Sequence, residues 1–513
     1  MTFKYPDGTT VGQSEPGTGV RSREGSPAPA VLPALTVLYH PDLERIGERV
    51  FLNELAGGGE AFLSRTAPEL ARPDRFAGEP LGDPHLSRRP IRFRGADGGI
   101  EIEVGESRTA VVADGLNLHR RAVFSAGQVS RGVVLELAGT VVLLLHRIPC
   151  PASPAPPRCG LIGDNPEMLA VREDVRRVAD LEVPVLLRGE TGTGKELVAR
   201  AIHDAGPRRS APFVGVNLGA IPASLSASQL FGAVKGAFTG SVASQEGYFR
   251  HAHGGTLFLD EIGEAPAEVQ VMLLRALETG EVYPVGSASP LRVDVRILAA
   301  TDSDLGDFRA PLLHRLAGFD IRLPPLRERR DDVGRLLIHF LRHELGKIGE
   351  GSRLENPRWL PPSLVARLAR YDWPGNVRQL RNVVRQLMIA SRGRAELDGF
   401  RLERLLREEP ATPPSPPPPV RRKPGEVSED EILEALRASR WDLKAAADRL
   451  RISRPSLYNR IESSSRIRKV SDLSTEEIAK CHGDCRGDLD PMSERLEVSR
   501  RALGRRVREL KLE

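Results

Sequence analysis

The sequence predicts a multidomain fold: an N-terminal β-sandwich, a central α/β domain with a helical lid, and an all-α C-terminal tail of tandem helix-turn-helix units. Three observations predict it. Short apolar or alternating runs separated by Gly, Asp and Pro fill residues 33–148, strand and helix patterns alternate from residue 160 onward, and a helical pattern in the tail recurs after 46 residues. A length of 513 residues is enough for about three or four domains.

Changes in composition set the predicted boundaries. Residues 1–32 are rich in Gly, Ser, Pro and charge, which predicts a disordered leader. Proline-rich stretches at 149–159 and 410–425 are predicted linkers, the second an extended polyproline spacer. The remaining segments are a sandwich at 33–148, an α/β subdomain at 160–330, a lid at 331–409, and helix-turn-helix repeats at 426–464 and 472–513.

Charge and cysteine content narrow the class of protein. The net charge is +5, and residues 421–513 hold 22 basic against 18 acidic residues, a surplus of four that favours nucleic acid as a partner of the tail. Four cysteines in so long a chain form no disulfide framework, so a reducing cytoplasm is expected. The longest apolar run is too short to cross a bilayer, which predicts no membrane partner.

Strand predictions in the sandwich follow from four runs. Each is apolar or alternates apolar with polar residues, as a half-buried strand does. The runs are Leu35 to Tyr39, Ile91 to Arg94, Ile100 to Val104, and Val141 to Leu145.

A glycine-rich turn in the central domain stands between an apolar strand, Val183 to Leu187, and a helix from Leu197 to Ile202. That context is the one a phosphate-binding loop requires, because backbone N–H groups and the helix N-terminus then point at phosphate oxygens. The turn predicts binding of a nucleoside triphosphate, with Lys195 as a point charge for the outer phosphates. The predicted binding residues are Gly189, Glu190, Thr191, Gly192, Thr193, Gly194, Lys195 and Glu196.

An apolar strand from Gly255 to Leu259 ends in Asp260 and Glu261. An acid at such a strand end lies beside the phosphate loop in folds of this kind. Asp260 is therefore predicted to hold Mg²⁺, directly or through water, and Glu261 to polarise the water that attacks the γ-phosphate.

The tail contains two copies of one helical pattern. Ser428 to Ile461 recurs without a gap as Ser474 to Val507, and Ser453 or Ser499 is the predicted N-cap of each last helix. Helix, turn and helix predict DNA binding, with the last helix of each copy entering the major groove. The predicted DNA-contacting residues are Arg454, Ser456, Tyr458 and Asn459 in the first copy, and Arg500, Arg501, Arg505 and Arg506 in the second.

Several central motifs together resemble the sigma-54-dependent activators, bacterial enhancer-binding proteins with an AAA+ ATPase core that commonly end in a Fis-like helix-turn-helix. The resemblance covers roughly residues 160–395, and Glu196 is what that family has after the lysine. It implies ATP and Mg²⁺ as cofactors, sigma-54 RNA polymerase and upstream (enhancer) DNA as partners, and assembly into a ring, expected to be hexameric. The motifs are Gly189 to Glu196, Ser228 to Gly232, Lys235 to Ser241, Gly255 to Glu261, Leu323 to Arg329, and Trp373 to Arg378.

The resemblance also implies roles for single residues. Asn217 matches the residue that pairs with the catalytic Glu, Thr301 stands at the nucleotide, and Arg378 matches the sensor arginine of the lid. Arg309 and Arg315 match arginine fingers that reach the γ-phosphate of a neighbouring subunit. The loop that touches the sigma factor matches Gly236, Ala237, Phe238, Thr239 and Gly240.

Three positions depart from the family pattern. Ser241 replaces an Ala, Asp302 replaces an Asn, and Pro311 replaces an acid. Asp302 bears on the chemistry, because it adds a carboxylate near the phosphates.

Two stretches of the sandwich, Arg45 to Arg49 and Asp83 to Arg89, resemble the forkhead-associated fold, which binds phosphothreonine peptides. Ser87, Arg88 and Arg89 match its phosphate loop, with Pro90 where that family has His. The resemblance implies a regulatory domain that binds a phosphorylated protein. The alternative is a sensory or docking sandwich whose surface arginines are solvated.

The predicted function is an ATPase that activates transcription by remodelling sigma-54 polymerase from upstream DNA. The alternative is a DNA-binding regulator with weak or no hydrolysis that acts by occupancy. Asp302 and Ser241 motivate the alternative.

Overall fold

The structure is a computed structural model that divides the chain into two compact units, residues 1–408 and 409–513. None of the helices it describes is long and apolar enough to cross a membrane. The residues described are 30–74, 77–96, 98–150, 155–237, 244–302, 308–392, 397, 399–408, 427–439, 441–452, 454–464, 466–485 and 487–510.

The N-terminal part of the first unit is a β-sandwich, as the alternating runs predict. One antiparallel sheet has the order β2-β1-β10-β9-β6-β7, and the facing sheet has the order β3-β4-β5-β8. Inward side chains such as Leu35, Phe93, Ile102 and Leu143 fill the space between the sheets. The elements are β1 Val31–Tyr39, β2 Arg49–Phe51, β3 Glu60–Leu63, β4 Ile91–Ala96, β5 Gly99–Glu103, β6 Val111–Ala113, β7 Leu116–Asn117, β8 Arg121–Phe124, α1 Ala126–Arg131, β9 Val133–Leu137 and β10 Val141–Pro149.

The central part is a parallel sheet with the order β12-β13-β16-β11-β17 and helices packed against it. This order places the carboxyl end of β16 between those of β11 and β13, where ligands bind in open α/β sheets. The elements are α2 Pro166–Val178, β11 Val185–Arg188, α3 Lys195–Ala205, β12 Phe213–Asn217, α4 Ala223–Phe231, α5 Tyr248–His251, β13 Thr256–Asp260, α6 Ala267–Thr279, β14 Glu281–Val282, β15 Leu291–Arg292, β16 Arg296–Thr301, α7 Ala310–Leu316 and β17 Phe319–Arg322.

The helical lid shares a hydrophobic core with the sandwich. Its helices are α8 Val333–Lys347, α9 Pro362–Arg370, α10 Asn376–Ala390 and α11 Gly399–Glu408. Leu38 and Val142, from the outer face of the first sheet, belong to the same buried cluster as Leu337 and Leu368. This face of the sheet is buried against the lid, which explains why β1 and β10 are apolar on both faces.

The contact between α8 and β1 depends on a glycine. A Cβ at Gly334 would overlap the carbonyl oxygen of Leu38. We expect Gly334→Ala to lower the free energy of unfolding by about 1–3 kcal/mol, because a methyl group there forces the helix off the sheet. Gly346→Ala is the control, since Gly346 lies in the last turn of the same helix and no described atom is within 4 Å of its added Cβ. Urea denaturation of both variants tests this, and equal stabilities would contradict the docked arrangement.

The second unit contains two helical bundles of the same design. Ser428 and Ser474 cap the first helix of each bundle through their hydroxyl groups. Ser499 is the N-cap residue of the last helix, as predicted, but its side chain makes no capping hydrogen bond, and Ser453 lies outside the described residues. Each bundle has its own buried core. The helices are α12 Glu429–Ala438, α13 Leu443–Leu450, α14 Arg454–Ser463, α15 Thr475–Asp484, α16 Leu489–Leu496 and α17 Arg500–Glu509.

Candidate nucleotide site and its surroundings

The phosphate loop connects β11 to α3 as the sequence predicts. Gly192 and Gly194 have φ of +81° and +109°, a region that favours glycine. Gly194 is the N-cap residue of α3, so the first N–H groups of the helix face the loop. This arrangement is the one that holds phosphate groups.

Lys195 is buried at the start of α3, where its ammonium group donates to the carbonyl oxygens of Gly189 at 2.7 Å and Glu190 at 3.3 Å. Burial lowers the pKa of Lys195, while Asp302, Asp260 and Glu261 raise it. The lysine is therefore close enough to these three acids to feel their charge. A triphosphate with its divalent metal fits between them, because the lysine attracts the negative phosphates and the carboxylates attract the positive metal ion.

The predicted acid pair ends β13 beside the loop. Burial raises the pKa of Asp260, and its Oδ1 accepts the N–H of Glu261 at 3.0 Å. Glu261 lies in the left-handed region with φ of +54°, a conformation that costs an L-residue on the order of 1 kcal/mol and occurs often at active sites. Its carboxylate lies against Gly219, where an added Cβ would overlap it.

Asn217 ends the neighbouring strand, and it pairs with Asp260 in the β12–β13 register. Its side-chain oxygen accepts the N–H of Ala220 at 3.1 Å and lies 3.3 Å from the position of a Cβ at Gly219. The structure thus brings Asn217 close to Glu261, as the predicted pairing requires.

The lid closes over the phosphate loop through Asn376, a role that the sequence analysis missed. Its side-chain N–H group donates to Glu190 Oε2 and to the carbonyl oxygen of Thr191, both at 3.1 Å. The backbone N–H of Arg378 donates to the carbonyl oxygen of Gly192 at 3.3 Å. The Arg378 side chain is exposed, so it is free to approach a nucleotide.

The end of β16 lies between the loop and the acid pair. Thr301 is buried, and the following Asp302 is exposed and accepts a hydrogen bond from the Thr191 hydroxyl. Asp302, which departs from the family pattern, is therefore hydrogen-bonded to the phosphate loop. Glu196 is exposed in the first turn of α3.

The predicted arginine fingers lie at the surface around α7. Arg309 is its exposed N-cap residue, and Arg315 is 60% exposed and lies 3.8 Å from Glu278. Of the predicted sigma-contacting loop, Gly236 and Ala237 are described, and no described atom lies within 4 Å of a Cβ added at Gly236. Phe238, Thr239, Gly240 and Ser241 lie outside the described residues.

A buried group of charges behind the phosphate loop was not found from the sequence. Arg329 is 2% exposed and donates to the carbonyl oxygen of Thr193 at 3.1 Å. Asp331 Oδ2 lies 3.6 Å from a guanidinium nitrogen of Arg49, which belongs to the sandwich. Asp332 accepts the N–H of Asp164 at 2.6 Å. Burial raises the pKa of Asp332, and Asp331 raises it further.

The two stretches of the sandwich that resemble the forkhead-associated fold differ in their exposure. Arg45 and Arg49 are buried, so the Arg45 to Arg49 stretch is no open phosphate pocket. Arg45 donates to the carbonyl oxygens of Pro80 and Leu81 at 2.7 and 2.8 Å. A sequence similarity shows which residue types are present, but it cannot show that the interior of the protein already uses them.

The Ser87 to Arg89 loop, in contrast, lines an open cavity of about 400 Å³. Arg65 and Arg108, which the sequence analysis missed, line it together with Arg88 and Arg89. The N–H of Ser87 donates to Thr109 Oγ1 at 2.9 Å, and Ser87 Oγ accepts the N–H of Arg89 at 3.0 Å. Arg89 also pairs with exposed Glu106 at 2.5 Å.

In the tail, the predicted DNA-contacting residues lie on α14 and α17. Tyr458 is 53% exposed, and Arg505 is exposed. Arg506 is half-buried and pairs with Glu509 at 3.0 Å. Ser456 is half-buried. The side chains of Arg454, Asn459, Arg500 and Arg501 lie outside the described residues.

A parallel sheet with this phosphate loop, this acid pair and a helical lid against the loop defines a P-loop domain of the AAA+ class. Family models agree. Residues 161–322 match the Sigma-54 interaction domain, residues 327–416 match the AAA+ ATPase lid domain, and residues 424–463 match the Bacterial regulatory protein, Fis family. The chain therefore carries a Sigma-54 interaction domain followed by an AAA+ ATPase lid, with a Fis-family helix-turn-helix after them.

Individual relatives match part of the chain. The transcriptional regulator NtrC of Escherichia coli K12 is 47% identical over 247 residues, which are 47% of this chain and 52% of NtrC. The regulator NorR of Vibrio vulnificus YJ016 is 46% identical over 240 residues, 46% of each chain. NtrX of Brucella abortus, solved with ADP, is 29% identical, with a TM-score of 0.44 over 68% of this chain and 70% of NtrX. The chain spans about half the length of the curated relatives it matches.

Proposed function

We propose that this protein hydrolyses ATP with Mg²⁺ and uses the energy to activate transcription by sigma-54 RNA polymerase. The single observation that carries the proposal is that Lys195 begins α3 while Asp260 and Glu261 end β13, at the carboxyl ends of the strands of one sheet, within the segment matched to the Sigma-54 interaction domain. Lys195 would hold the β- and γ-phosphates, Asp260 the metal ion, and Glu261 the attacking water. The metal ion would neutralise charge that develops on the transferred phosphoryl group.

Exposed Arg309 and Arg315 support a ring in which one subunit completes the site of the next, with a hexamer expected. An arginine that stabilises the γ-phosphate from outside the subunit makes hydrolysis depend on assembly. Gly236 to Gly240 would contact the sigma factor, with Phe238 and Thr239 as the contact residues. Arg378 would sense the nucleotide from the lid, where its backbone is already bonded to the phosphate loop.

The experiment is promoter opening by purified sigma-54 polymerase on a sigma-54 promoter, with the full chain and ATP. We expect open complexes with ATP and none with a non-hydrolysable analogue. Opening without hydrolysis, or none with ATP, would reject the proposal and favour a regulator that acts by occupancy.

We further propose that the two tail repeats bind upstream DNA and contribute differently. Only the first repeat lies within the Fis-family match. Helix α17 carries five arginines and one acid, whereas α14 carries two arginines and one acid. At equivalent positions, Asn459 of the first copy is Arg505 in the second, and Glu462 is Arg508. The second repeat thus supports phosphate neutralisation, and the first supports base contacts.

We expect Arg505→Gln to reduce the slope of log affinity against log salt by about 1, because one phosphate contact releases about one counterion. The measurement is fluorescence anisotropy of the full chain on a duplex of arbitrary sequence. Lys480→Gln removes the same charge from an exposed position on α15, which is not the recognition helix. It should leave the slope unchanged. Equal slopes for the wild type and Arg505→Gln would contradict this division.

For the sandwich, we propose that the cavity around Arg88 binds a phosphorylated peptide. The convergence of Arg65, Arg88, Arg89 and Arg108 on the Ser87 loop supports it, because guanidinium groups form charge-assisted bonds with phosphate. We expect phosphothreonine peptides from a randomised library to bind the full chain and to lose at least tenfold in affinity for Arg88→Gln. Arg121→Gln, an exposed arginine of β8 outside the cavity, is the control. Equal binding of phosphorylated and unphosphorylated peptides would favour a docking sandwich.

A further inference from the structure

A second group of arginines meets where the sandwich, the linker and the lid come together. Arg72 of the sandwich, Arg158 of the linker, and Arg335 and Arg342 of α8 line a cavity of about 190 Å³. Among its described lining residues Glu44 is the acid, and it is shared, at 3.4 Å from Arg72 and 2.9 Å from Arg342. These residues are separate from those of the Arg88 cavity.

The hydrogen-bonding capacity of this group is incompletely used. Arg335 forms an ion pair with Asp164 through one guanidinium nitrogen, but its Nε and Nη2, which are buried against Gly47, have no hydrogen-bond partner among the described residues. The Nε of Arg72 is also buried without one. Arg158 is 55% exposed, and its ion pair with Asp74 is long at 3.8 Å. Buried N–H groups of a charged side chain are costly to leave unpaired, so the cluster favours an additional acceptor.

The arginines also repel one another. Burial lowers the pKa of Arg335, Asp164 raises it, and the charges of Arg158 and Arg72 lower it further. His339, which lines the same cavity, has a pKa lowered by burial and then by His343, Arg342 and Arg381. Positive potential therefore accumulates at this junction, and an anion would relieve it.

The size and shape of the cavity limit the ligand. Pockets for drug-sized molecules hold about 300–1,000 Å³, so a space of about 190 Å³ suits a compact anion and not a nucleoside. Planar guanidinium groups match the paired oxygens of phosphate better than they match a halide.

We propose that this cavity is an oxyanion site that binds free orthophosphate through Arg72, Arg158 and Arg335. The bound anion connects the sandwich, the linker and the lid, and it stabilises their docked arrangement. The site is independent of ATP hydrolysis and of peptide binding at Arg88.

Isothermal titration of the full chain with orthophosphate tests the proposal. The chain is first saturated with a non-hydrolysable ATP analogue to fill the phosphate loop, and ionic strength is held constant with chloride. We expect binding by the wild type, at least tenfold weaker binding by Arg158→Gln and by Arg72→Gln, and unchanged binding by Arg121→Gln, an exposed arginine outside both cavities. Circular dichroism of each variant confirms that it is folded.

A parallel titration with adenosine monophosphate distinguishes a site for free phosphate from a site for the phosphate group of a nucleotide. Adenosine monophosphate carries the same group on a nucleoside too large for the cavity, and we expect it to bind at least tenfold more weakly than orthophosphate. Absence of orthophosphate binding by the wild type would overturn the proposal. Affinity unchanged in both Arg158→Gln and Arg72→Gln, or tighter binding of the nucleotide through the same arginines, would overturn it equally.

Discussion

Replacing Glu261 by Gln is expected to reduce ATP turnover by about 10²–10³-fold, the effect of removing a group that positions and polarises the attacking water. The side chain keeps its size and its place against Gly219, so nucleotide affinity should change little. Phosphate release under saturating ATP measures turnover, and the fluorescence of a labelled ADP measures binding.

Glu264→Gln is the matched control for this experiment. Glu264 is an exposed acid three residues further on, in the short 3₁₀ turn that Glu261 begins. It should keep the turnover of the wild type. Turnover that survives in Glu261→Gln would remove the proposed role of this residue. A wild type without turnover would instead favour the regulator that acts by occupancy, and Asp302→Asn would then show whether the added carboxylate at the phosphate loop is the cause.

The nucleotide site could be predicted from the sequence because its determinants are local or follow from strand order. Glycines at 192 and 194 mark the turn, and the apolar run before Asp260 shows that this acid stands at the end of a strand. In a parallel sheet the carboxyl ends of β11 and β13 lie on the same side, so the turn and the acid come together. The motif at Trp373 to Arg378 marks the lid, but only the folded structure shows that Asn376 holds the loop through its amide group.

The charged contacts between domains could not be predicted in this way. Arg49 and Asp331 are separated by more than 280 residues, and each looks like an ordinary surface residue in its local sequence. The same limit explains why the sequence did not show that Arg45 and Arg49 are buried, and why Arg65 was missed. Which arginines stay exposed depends on what packs over them, and the lid, far along the chain, covers one side of the sandwich.

Arg329 lies where these buried charges meet the nucleotide site, and it gives the largest expected change in stability. Its guanidinium group is buried beside Asp331 and Asp332, whose charges raise the pKa that burial lowers. We expect Arg329→Met to lower the free energy of unfolding by about 3–5 kcal/mol, because it keeps the volume but removes the buried charge beside Asp331 and Asp332, of which Asp331 retains Arg49 at 3.6 Å. It also removes the donor to the Thr193 carbonyl oxygen.

Arg327→Met is the control that distinguishes the effect of burial from the effect of losing an arginine near the phosphate loop. Arg327 pairs with Glu190 at 2.6 Å, but both side chains are 40% exposed, and such surface pairs contribute about 0–1 kcal/mol. Urea denaturation followed by circular dichroism should therefore place Arg329→Met far below the wild type and Arg327→Met close to it. Equal losses would mean that burial does not set the contribution of Arg329. A large loss for Arg329→Met alone would show that the lid and the phosphate loop are stabilised through a charge which neither the substrate nor the solvent reaches.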